Sequence, residues 1–557
     1  MKTKYIFISG GVISGIGKGV TASSLGLLLK SRGFKISVIK CETYLNVDSG
    51  TINPIEHGDP FLCADGLEAD MDLGTYERFL EIEVGHKNFC TMGQVYKTII
   101  DKERSMGYHG KTVDAIPEIP NEIIRRIKEA GKGSEICLVE LGGTAGEYQN
   151  IYNYEAARMM KLEMPDDCVH IHISYVPIPE HIGEPKTKPT QLSMRFLNMA
   201  GIQPDFLVLR SSKVVDSLRL SKVAIQCNIH PDRIIMNSNV KSIYELPLKF
   251  QSQNMDIKVL SLLKLKRKPL NLKRWQKLVK IITTERKKRV LIAVVGKYIA
   301  TGSFQLPDSY NSLSHALKHA SWGTNIGVDI MFINAEDLED SHKASDLLKH
   351  ANGIIVPIGW GSRGVEGKIK AIEYARKNKV PYLGLCYGMQ LACVEFARDV
   401  LGWKDANSEE VNPKTNHKII HTIPFDPKYQ TIKGEGTSMR LGTYPCVVKK
   451  GSLAYDIYSK DAQLRVSKKN KDMIVYERHR HRFEFNNEYR KALEDKGMVF
   501  SGTSPDDFFV EIIELPKKLH PFFIATQAHP EYKSKPLEPH PVFVEFVKAS
   551  MKFTPKK

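Results

Sequence analysis

The chain alternates short, mostly apolar runs with longer segments in which apolar residues recur every three or four positions. Runs of the first kind occupy residues 5–8, 36–39, 136–140, 169–174, 206–209, 290–295, 328–333, 354–357, 382–385 and 522–526. Apolar runs of this length between turn formers read as strands buried on both faces of a parallel sheet. Segments 21–32 and 121–129 carry helical spacing between them. Strand and helix in alternation predict a doubly wound α/β architecture. Two runs open alike, at 4–10 and 289–296, each with a basic residue, an apolar strand and a glycine. The architecture is therefore expected twice, in domains 1–265 and 289–557, joined by a basic connection 266–288 with Pro269 and a helix near 272–283. Stretch 412–436 reads as a long polar surface loop, and 554–557 as a disordered tail.

A length of 557 residues with 42% hydrophobic and 26% charged residues excludes disordered and collagen-like classes and allows two large cores. The net charge of +17 suggests anionic partners without choosing among nucleic acid, membrane surface and phosphorylated small molecules. The basic connection is read as a linker. Nucleic-acid binding is its alternative, although no aromatic residues interleave its charges. No window holds about 18 consecutive apolar residues, so no membrane helix is expected, and residues 5–8 are too few for a signal peptide. Nine scattered cysteines without a Cys-x-x-Cys pair suit reduced thiols in a cytoplasm.

After the first strand comes Gly10-Gly11-Val12-Ile13-Ser14-Gly15-Ile16-Gly17-Lys18-Gly19, then a helix. Strand, glycine turn, lysine and helix N-terminus make an anion cradle, with Lys18 as its point charge. The usual phosphate loop has a metal-binding hydroxyl after the lysine, and here Gly19 stands in its place. Carboxylates elsewhere must then hold any metal. Asp72, in Glu68-Ala69-Asp70-Met71-Asp72-Leu73-Gly74, and Glu140, at the end of an apolar run, are candidates. By composition alone each reads more readily as a solvated loop acid. Lys186 and Lys188 flank Thr187 between prolines and would project to one side of an extended segment, which suits a triphosphate; a solvated charged loop is the alternative.

In the second half, Leu383-Gly384-Leu385-Cys386-Tyr387-Gly388-Met389-Gln390 sets a cysteine between glycines at a strand-to-helix turn, a nucleophile elbow with sulfur for oxygen. The helix N-terminus favours thiolate and offers N–H groups to an oxyanion. Near the C-terminus, His529-Pro530-Glu531 follows an apolar run and supplies a base with an orienting acid.

The phosphate loop, Asn46-Val47-Asp48, Asp72-Leu73-Gly74 through Phe79, Lys186-Thr187-Lys188-Pro189-Thr190-Gln191, the Cys386 elbow, Arg478-His479-Arg480-His481-Arg482 and His529-Pro530-Glu531 occur in the order seen in CTP synthases. The chain resembles that family from about residue 3 to residue 550. The resemblance implies an N-terminal amidoligase domain with a P-loop-like, dethiobiotin synthetase-like fold and a C-terminal class I glutaminase. It implies that Cys386, His529 and Glu531 release ammonia from glutamine, that Gly359 and Tyr387 supply oxyanion donors, and that Gly388, Met389, Gln390, Glu410 and Arg482 complete the glutamine site. It further implies ATP contacts at Gly15, Ile16, Gly17, Lys18, Gly19, Val20, Asp72, Asn239 and Val240, with Lys18 and Lys40 catalytic and magnesium on Asp72 and Glu140. UTP, or CTP as inhibitor, would meet Ser14, Glu147, Gln149, Lys186, Thr187, Lys188, Pro189, Thr190, Gln191 and Lys222. GTP as activator, a homotetramer and a cytoplasmic location complete the expectation, with no nucleic acid or membrane partner.

Four positions depart from the family pattern. Ile358 replaces the first glycine of the loop 356–361, Cys41-Glu42 replaces an apolar-aspartate pair, Gln149 replaces an acid, and 301–305 looks like a small insertion. Two competing readings are a related glutamine-dependent synthetase of the cobyrinate type and a catalytically inert homologue that regulates or forms filaments.

Overall fold

The computed structural model describes residues 2–52, 58–298, 300–301, 304–305, 307–424, 430–431, 438–460, 467–469 and 472–555. The chain forms two compact units, Met1–Thr51 with Asp72–Thr283 and Ile52–Met71 with Thr284–Lys557.

In the first unit, strands β1 (Lys4–Gly11), β2 (Ile36–Glu42), β3 (Phe89–Thr91), β4 (Ile136–Leu141), β5 (Cys168–Tyr175), β6 (Phe206–Ser211) and β7 (Ile234–Ser238) lie in the order β3-β2-β4-β1-β5-β6-β7. Every pairing is parallel. β4 is buried throughout and β1 at all but its first residue, which is why neither strand alternates in polarity. The winding reverses at β1, which has β4 on one side and β5 on the other. Open α/β sheets of this kind hold ligands at the carboxyl ends of such strands.

The basic connection departs from the expected linker. Its helix, α1 (Lys273–Thr283), turns Trp275, Leu278 and Val279 inward. The Trp275 ring lies 5.3 Å from Phe79 and 5.8 Å from Tyr244 between ring centres, and its Nε1–H donates to the Tyr244 carbonyl at 2.9 Å. Arg32 Nη1 donates to the Lys268 carbonyl at 2.6 Å, and the Lys268 ammonium stands over the Phe34 ring. The lysines and arginines face solvent because an amphipathic helix has nowhere else to put them. Segment 266–283 is thus part of the first unit.

The second unit contains β8 (Arg289–Gly296), β9 (Gly327–Asn334), β10 (Gly353–Val356), β11 (Tyr382–Leu385), β12 (Ser438–Val448), β13 (Ser467–Lys469), β14 (Asp472–His481), β15 (Val499–Thr503), β16 (Val510–Glu514) and β17 (Phe523–Thr526). The order is β9-β8-β10-β11-β17-β16-β15-β12-β14-β13. The first five strands are parallel. The remainder extend the sheet antiparallel, which the sequence pattern did not announce. Apolar clusters around Ala293 and Val356 and around Val294 and Leu383 form the core.

Residues 52–71 belong to this second unit, not to the N-terminal domain in which the sequence order puts them. Their short hairpin pairs Phe61–Leu62 with Glu68–Ala69. Arg478 Nη1 donates to the Leu62 carbonyl at 2.8 Å and Thr443 N to the Ala64 carbonyl at 2.9 Å. Arg480 forms an ion pair with Glu68, both buried.

The expected surface loop 412–436 is partly ordered sheet. Lys418–Thr422 pairs with Phe483–Phe485, and Ile419 and Ile420 are buried. Residues 425–429 and 432–437 lie outside the described residues. So do 302–303 of the insertion, in which Thr301 pairs with Phe304, while Gln305 pairs with Ala300 just before the insertion. In the tail, 556–557 also lie outside. No helix among the described residues is long and apolar enough to cross a membrane.

Trp275→Ala is expected to destabilise the first unit by about 3–5 kcal/mol, the cost of emptying a packed aromatic site. Calorimetric unfolding of the full chain measures it, and an unchanged transition would return the segment to the status of a linker.

Candidate functional site

In the second unit, Cys386 caps helix α2 (Tyr387–Asp399) directly after β11, with φ 51° and ψ −99°. A side chain at positive φ is strained and persists only where its surroundings hold it. Here the Cys386 N–H donates to the Thr526 carbonyl at 2.7 Å, and its own carbonyl accepts from Met389 N and Gln390 N. A Cβ at Gly388 would lie 2.0 Å from the Val356 carbonyl oxygen, and one at Gly384 2.7 Å from the Ala525 Cβ. Both glycines are therefore required by close packing, and the strained turn lifts the thiol between β11 and the helix.

The Cys386 sulfur accepts from Gln527 Nε2 at 3.4 Å and lies 3.8 Å from the Arg480 carbonyl. His529, fully buried, donates from Nδ1 to Glu531 Oε1 at 2.8 Å. Its Nε2 makes no hydrogen bond. Burial opposes charging of the ring, but the Glu531 carboxylate and the nearby Cys386 sulfur outweigh it and raise the His529 pKa to about 10. The arrangement favours the imidazolium form of His529.

The Gly359 and Tyr387 N–H groups are the candidate oxyanion donors. Tyr387 opens its helix, so its N–H has no intrahelical acceptor, and the Gly359 N–H bonds to none of the described residues. Ile358 causes no distortion: it is absent from the positive-φ positions, and its side chain is buried in the core. Glu410 Oε1 accepts from Gly361 N at 3.0 Å and from Arg482 Nη2 at 3.5 Å, so these two predicted residues meet. Met389 and Gln390 are turned inward. Met389 belongs to the apolar core, and Gln390 Nε2 donates to the Phe483 carbonyl at 2.9 Å. Only their backbone remains for a ligand.

In the first unit, helix Lys18–Ser31 starts from Gly17 at φ 92° without a side-chain cap or an acid in its first turn, and Gly15 has φ 66°. The helix N–H groups are thus open to an anion. Ser14 is exposed, Ile16 buried and Val20 half-buried beside them. Lys18 Nζ donates to the Gly143 carbonyl at 2.8 Å. Lys40, at the end of β2, gathers three acids: Asp72, Glu42 at 3.1 Å and Glu140 at 3.3 Å. Tyr76 donates its hydroxyl to Glu140. Burial opposes charge on Asp72, yet Lys40 draws its pKa below the ordinary carboxylate value, while burial and the Asp72 charge hold that of Glu140 up despite Lys40. Three carboxylates around one ammonium offer the hard oxygen donors that magnesium prefers, although no group of three or more acids, histidines or cysteines among the described residues is arranged to hold a metal ion. A Cβ at Gly19 would lie 2.5 Å from Asp72 Oδ1. Asp72 therefore occupies the space where the usual phosphate loop carries its hydroxyl.

The Lys186–Gln191 cluster departs from the expected extended segment. Lys188 opens the helix Lys188–Met199, because Pro189 fits a first helical turn. Thr190 is fully buried, bonded to Ser174 and the Tyr175 carbonyl, so it anchors the helix instead of facing a ligand. Gln191 reaches back to Thr187. Lys186 pairs with Glu184, which also holds Arg219 at 2.8 Å. Lys222 is exposed on the helix Ser217–Gln226. Asn239 and Val240 follow β7, with Asn239 Oδ1 accepting from Arg210 at 2.6 Å. Glu147 accepts from Thr144 and, at 3.3 Å, from Gln149. A buried chain, His170–Ser9–His172–Ser193, ties this helix to β1 with contacts of 2.8, 2.9 and 2.8 Å. Burial lowers both histidine pKa values to about 3, so the chain is neutral.

Sequence reasoning missed Gln527, Arg219, Lys297 and Lys368. Gln527 had a signal, being two residues before His529, and so had Lys297, which directly follows an apolar strand and a glycine.

A family described as CTP synthase N-terminus matches residues 4–265, and one described as glutamine amidotransferase class-I matches residues 305–549. The CTP synthase of Caldanaerobacter subterraneus is 45% identical over 555 residues, 98% of this chain and 98% of the relative. That of Pyrococcus furiosus is 45% identical over 560 residues, 100% of this chain and 99% of the relative. A solved glutaminase domain of Trypanosoma brucei CTPS with bound acivicin is 35% identical, covering 48% of this chain and 96% of its own, at a TM-score of 0.41.

The raised His529 pKa contributes stability that is complete below the ordinary value near 6.5 and lost as pH rises through about 10. Glu531→Gln is expected to lower stability by about 1.5–3 kcal/mol at pH 6, with the difference from the parent shrinking through that window. Denaturant unfolding at a series of pH values measures it; a pH-independent difference would remove the ion pair.

Proposed function

The chain belongs to the CTP synthase family, and from that premise we propose that it is a carbon–nitrogen ligase that aminates UTP to CTP with ATP and glutamine. The observation that carries the reading is one chain with both a Cys386–His529–Glu531 centre and a phosphate loop backed by Lys40, Asp72 and Glu140. Neither centre alone implies the other. Residues 1–265, less the hairpin segment, act as the amidoligase, and 289–557 as the glutaminase.

In the glutaminase, the Cys386 thiolate attacks the glutamine amide carbon, and the Gly359 and Tyr387 N–H groups receive the negative oxygen. His529 gives its Nε2 proton to the departing nitrogen, so ammonia leaves and a thioester remains. His529 then takes a proton from water, which attacks the thioester and returns glutamate and the thiol. Arg482 and Glu410 fit the carboxylate and ammonium of the glutamine head. In the amidoligase, the UTP 4-oxygen attacks the γ-phosphorus of ATP. The oxygen thereby becomes part of a good leaving group, and ammonia displaces phosphate to give CTP, ADP and phosphate. Lys18 and Lys40 neutralise charge on the transferred group. Asp72 and Glu140 would hold magnesium, which when bound supplies positive charge against phosphate oxygens.

The nucleoside base and phosphates of UTP fall to Ser14, Lys186, Lys188, Gln191 and Lys222, and adenine to the backbone at Asn239 and Val240. GTP activates the glutaminase. Exposed apolar side chains on two helices of the first unit, Leu162 at 75% and Met199 at 82% exposure, support self-association as a tetramer. Nine buried thiols support a reducing compartment, the cytoplasm.

CTP formation from UTP, ATP and magnesium, with either glutamine plus GTP or ammonium chloride, tests the reading; no product from either nitrogen source would sink it. Cys386→Ala is expected to lower the glutamine route by at least about 10³-fold and spare the ammonia route. Asp72→Asn and Glu140→Gln are expected to lower both by about 100-fold, the worth of several kcal/mol of lost charge stabilisation. CTP should inhibit weakly in competition with UTP, and Gln149→Glu should alter the inhibition constant measurably; equal constants would take Gln149 out of the CTP contact.

A further inference from the structure

Lys368 is fully buried on the helix Val365–Asn378, yet it forms no ion pair with any described acid. Its ammonium donates to the Pro357 carbonyl at 3.0 Å and to the Ile358 carbonyl at 3.4 Å. The Tyr387 ring centre lies 5.2 Å away. Burying an unpaired ammonium is expensive, and an apolar side chain of similar length would fill the volume without that cost. Stability therefore does not account for a lysine here.

Its partners do. A second ammonium, Lys297 at the end of β8, donates to the Trp360 and Gly361 carbonyls. Two amines thus hold four carbonyls of the loop 357–361. In a trans peptide the C=O of one residue and the N–H of the next point in opposite directions. The bond from Lys368 to the Ile358 carbonyl consequently fixes the direction of the Gly359 N–H. The helix bearing Lys368 is itself seated without play, since a Cβ at Gly367 would lie 1.7 Å from the Ala335 carbonyl oxygen. A Cβ at Gly359 would lie 2.9 Å from Lys368 Nζ, so a larger residue there would displace the amine.

We infer that Lys368 is the positioning residue of the glutaminase oxyanion loop, holding the Ile358–Gly359 peptide so that the Gly359 N–H stays directed as a donor. Burial, with Lys297 adding to it and Cys386 opposing it, lowers the Lys368 pKa to about 7. The inference rests on the glutaminase reading above.

The test compares Lys368→Met and Lys368→Gln with the parent in three assays. These are glutamine hydrolysis, alkylation of Cys386 by iodoacetamide, and ammonia-dependent CTP formation. Alkylation forms an S–C bond as iodide leaves and passes through no oxyanion, so it reports the thiolate and the fold of the elbow alone. Outright loss of an oxyanion donor costs about 10²–10³ in kcat. Lys368→Met is expected to lower the glutaminase kcat by about 10- to 100-fold, with KM within about twofold and alkylation and ammonia-dependent rates unchanged. Lys368→Gln, which keeps an N–H donor, should recover part of the loss. If Lys368→Met fails to fold, a drop in kcat with normal alkylation in Lys368→Gln carries the inference. Parental kcat in both variants, or kcat and alkylation lost together in both, overturns it. A parent chain that hydrolyses no glutamine overturns the glutaminase reading itself, and this inference falls with it.

Discussion

A strand buried on both faces cannot carry charge along its length, and nearly every ionised group of both centres sits where a parallel strand ends. β1 ends in the phosphate loop, β2 in Lys40 and Glu42, β4 in Glu140, and β11 in Cys386. Desolvating a charge costs several kcal/mol unless partners or solvent are at hand, so the carboxyl edge is the one place where buried sheet and chemistry meet. Inside the parallel strands β1 and β5 the polar residues stay neutral, as in the His170–Ser9–His172–Ser193 chain, whereas the antiparallel extension carries buried charges as ion pairs, Arg440–Glu511 and Arg480–Glu68. Lys368 has neither arrangement, being a lysine fully buried on a helix and held by carbonyls instead of an acid.

How much was legible in the sequence follows from whether a residue's role was local. The Cys386 elbow could be read because its glycines are neighbours in sequence, and the structure gives each a specific atom that a Cβ would strike. Both parallel sheets were legible through their continuous apolar runs. The antiparallel extension through β12 to β16 was not, because β14 carries Arg478 and Arg480 near its end, with Arg482 just beyond it, and looks solvated. Trp275 was hidden by the lysines around it, and Thr190 by a motif whose other members are polar. Lys368 had a faint signal that went unread: Val365, Ala371 and Ile372, three and four residues away on the same helix face, are apolar and buried.

Two departures, one from the family pattern and one from the usual phosphate loop, have physical resolutions. Ile358 keeps ordinary backbone geometry and puts its side chain into the core, so the loop asks nothing of a glycine at that position. At position 19 a glycine takes the place of the phosphate-loop hydroxyl because Asp72 fills the space directly. In one case the backbone tolerates a side chain, and in the other a side chain from elsewhere forbids one.

The hairpin within Ile52–Met71 bears on how the chain is made. It is synthesised among the first strands of the amidoligase but completes a surface of the glutaminase, where Glu68 meets Arg480 across 412 residues. During synthesis, this segment must wait outside its own unit until nearly the whole chain has left the ribosome. Contacts that span such separations form late. A glutaminase half produced alone from residue 289 would expose the Arg478 and Arg480 side chains that the hairpin covers. An interior guanidinium stripped of its carboxylate costs about 3–5 kcal/mol. The two halves are consequently separable as chemistry but interleaved as polypeptide.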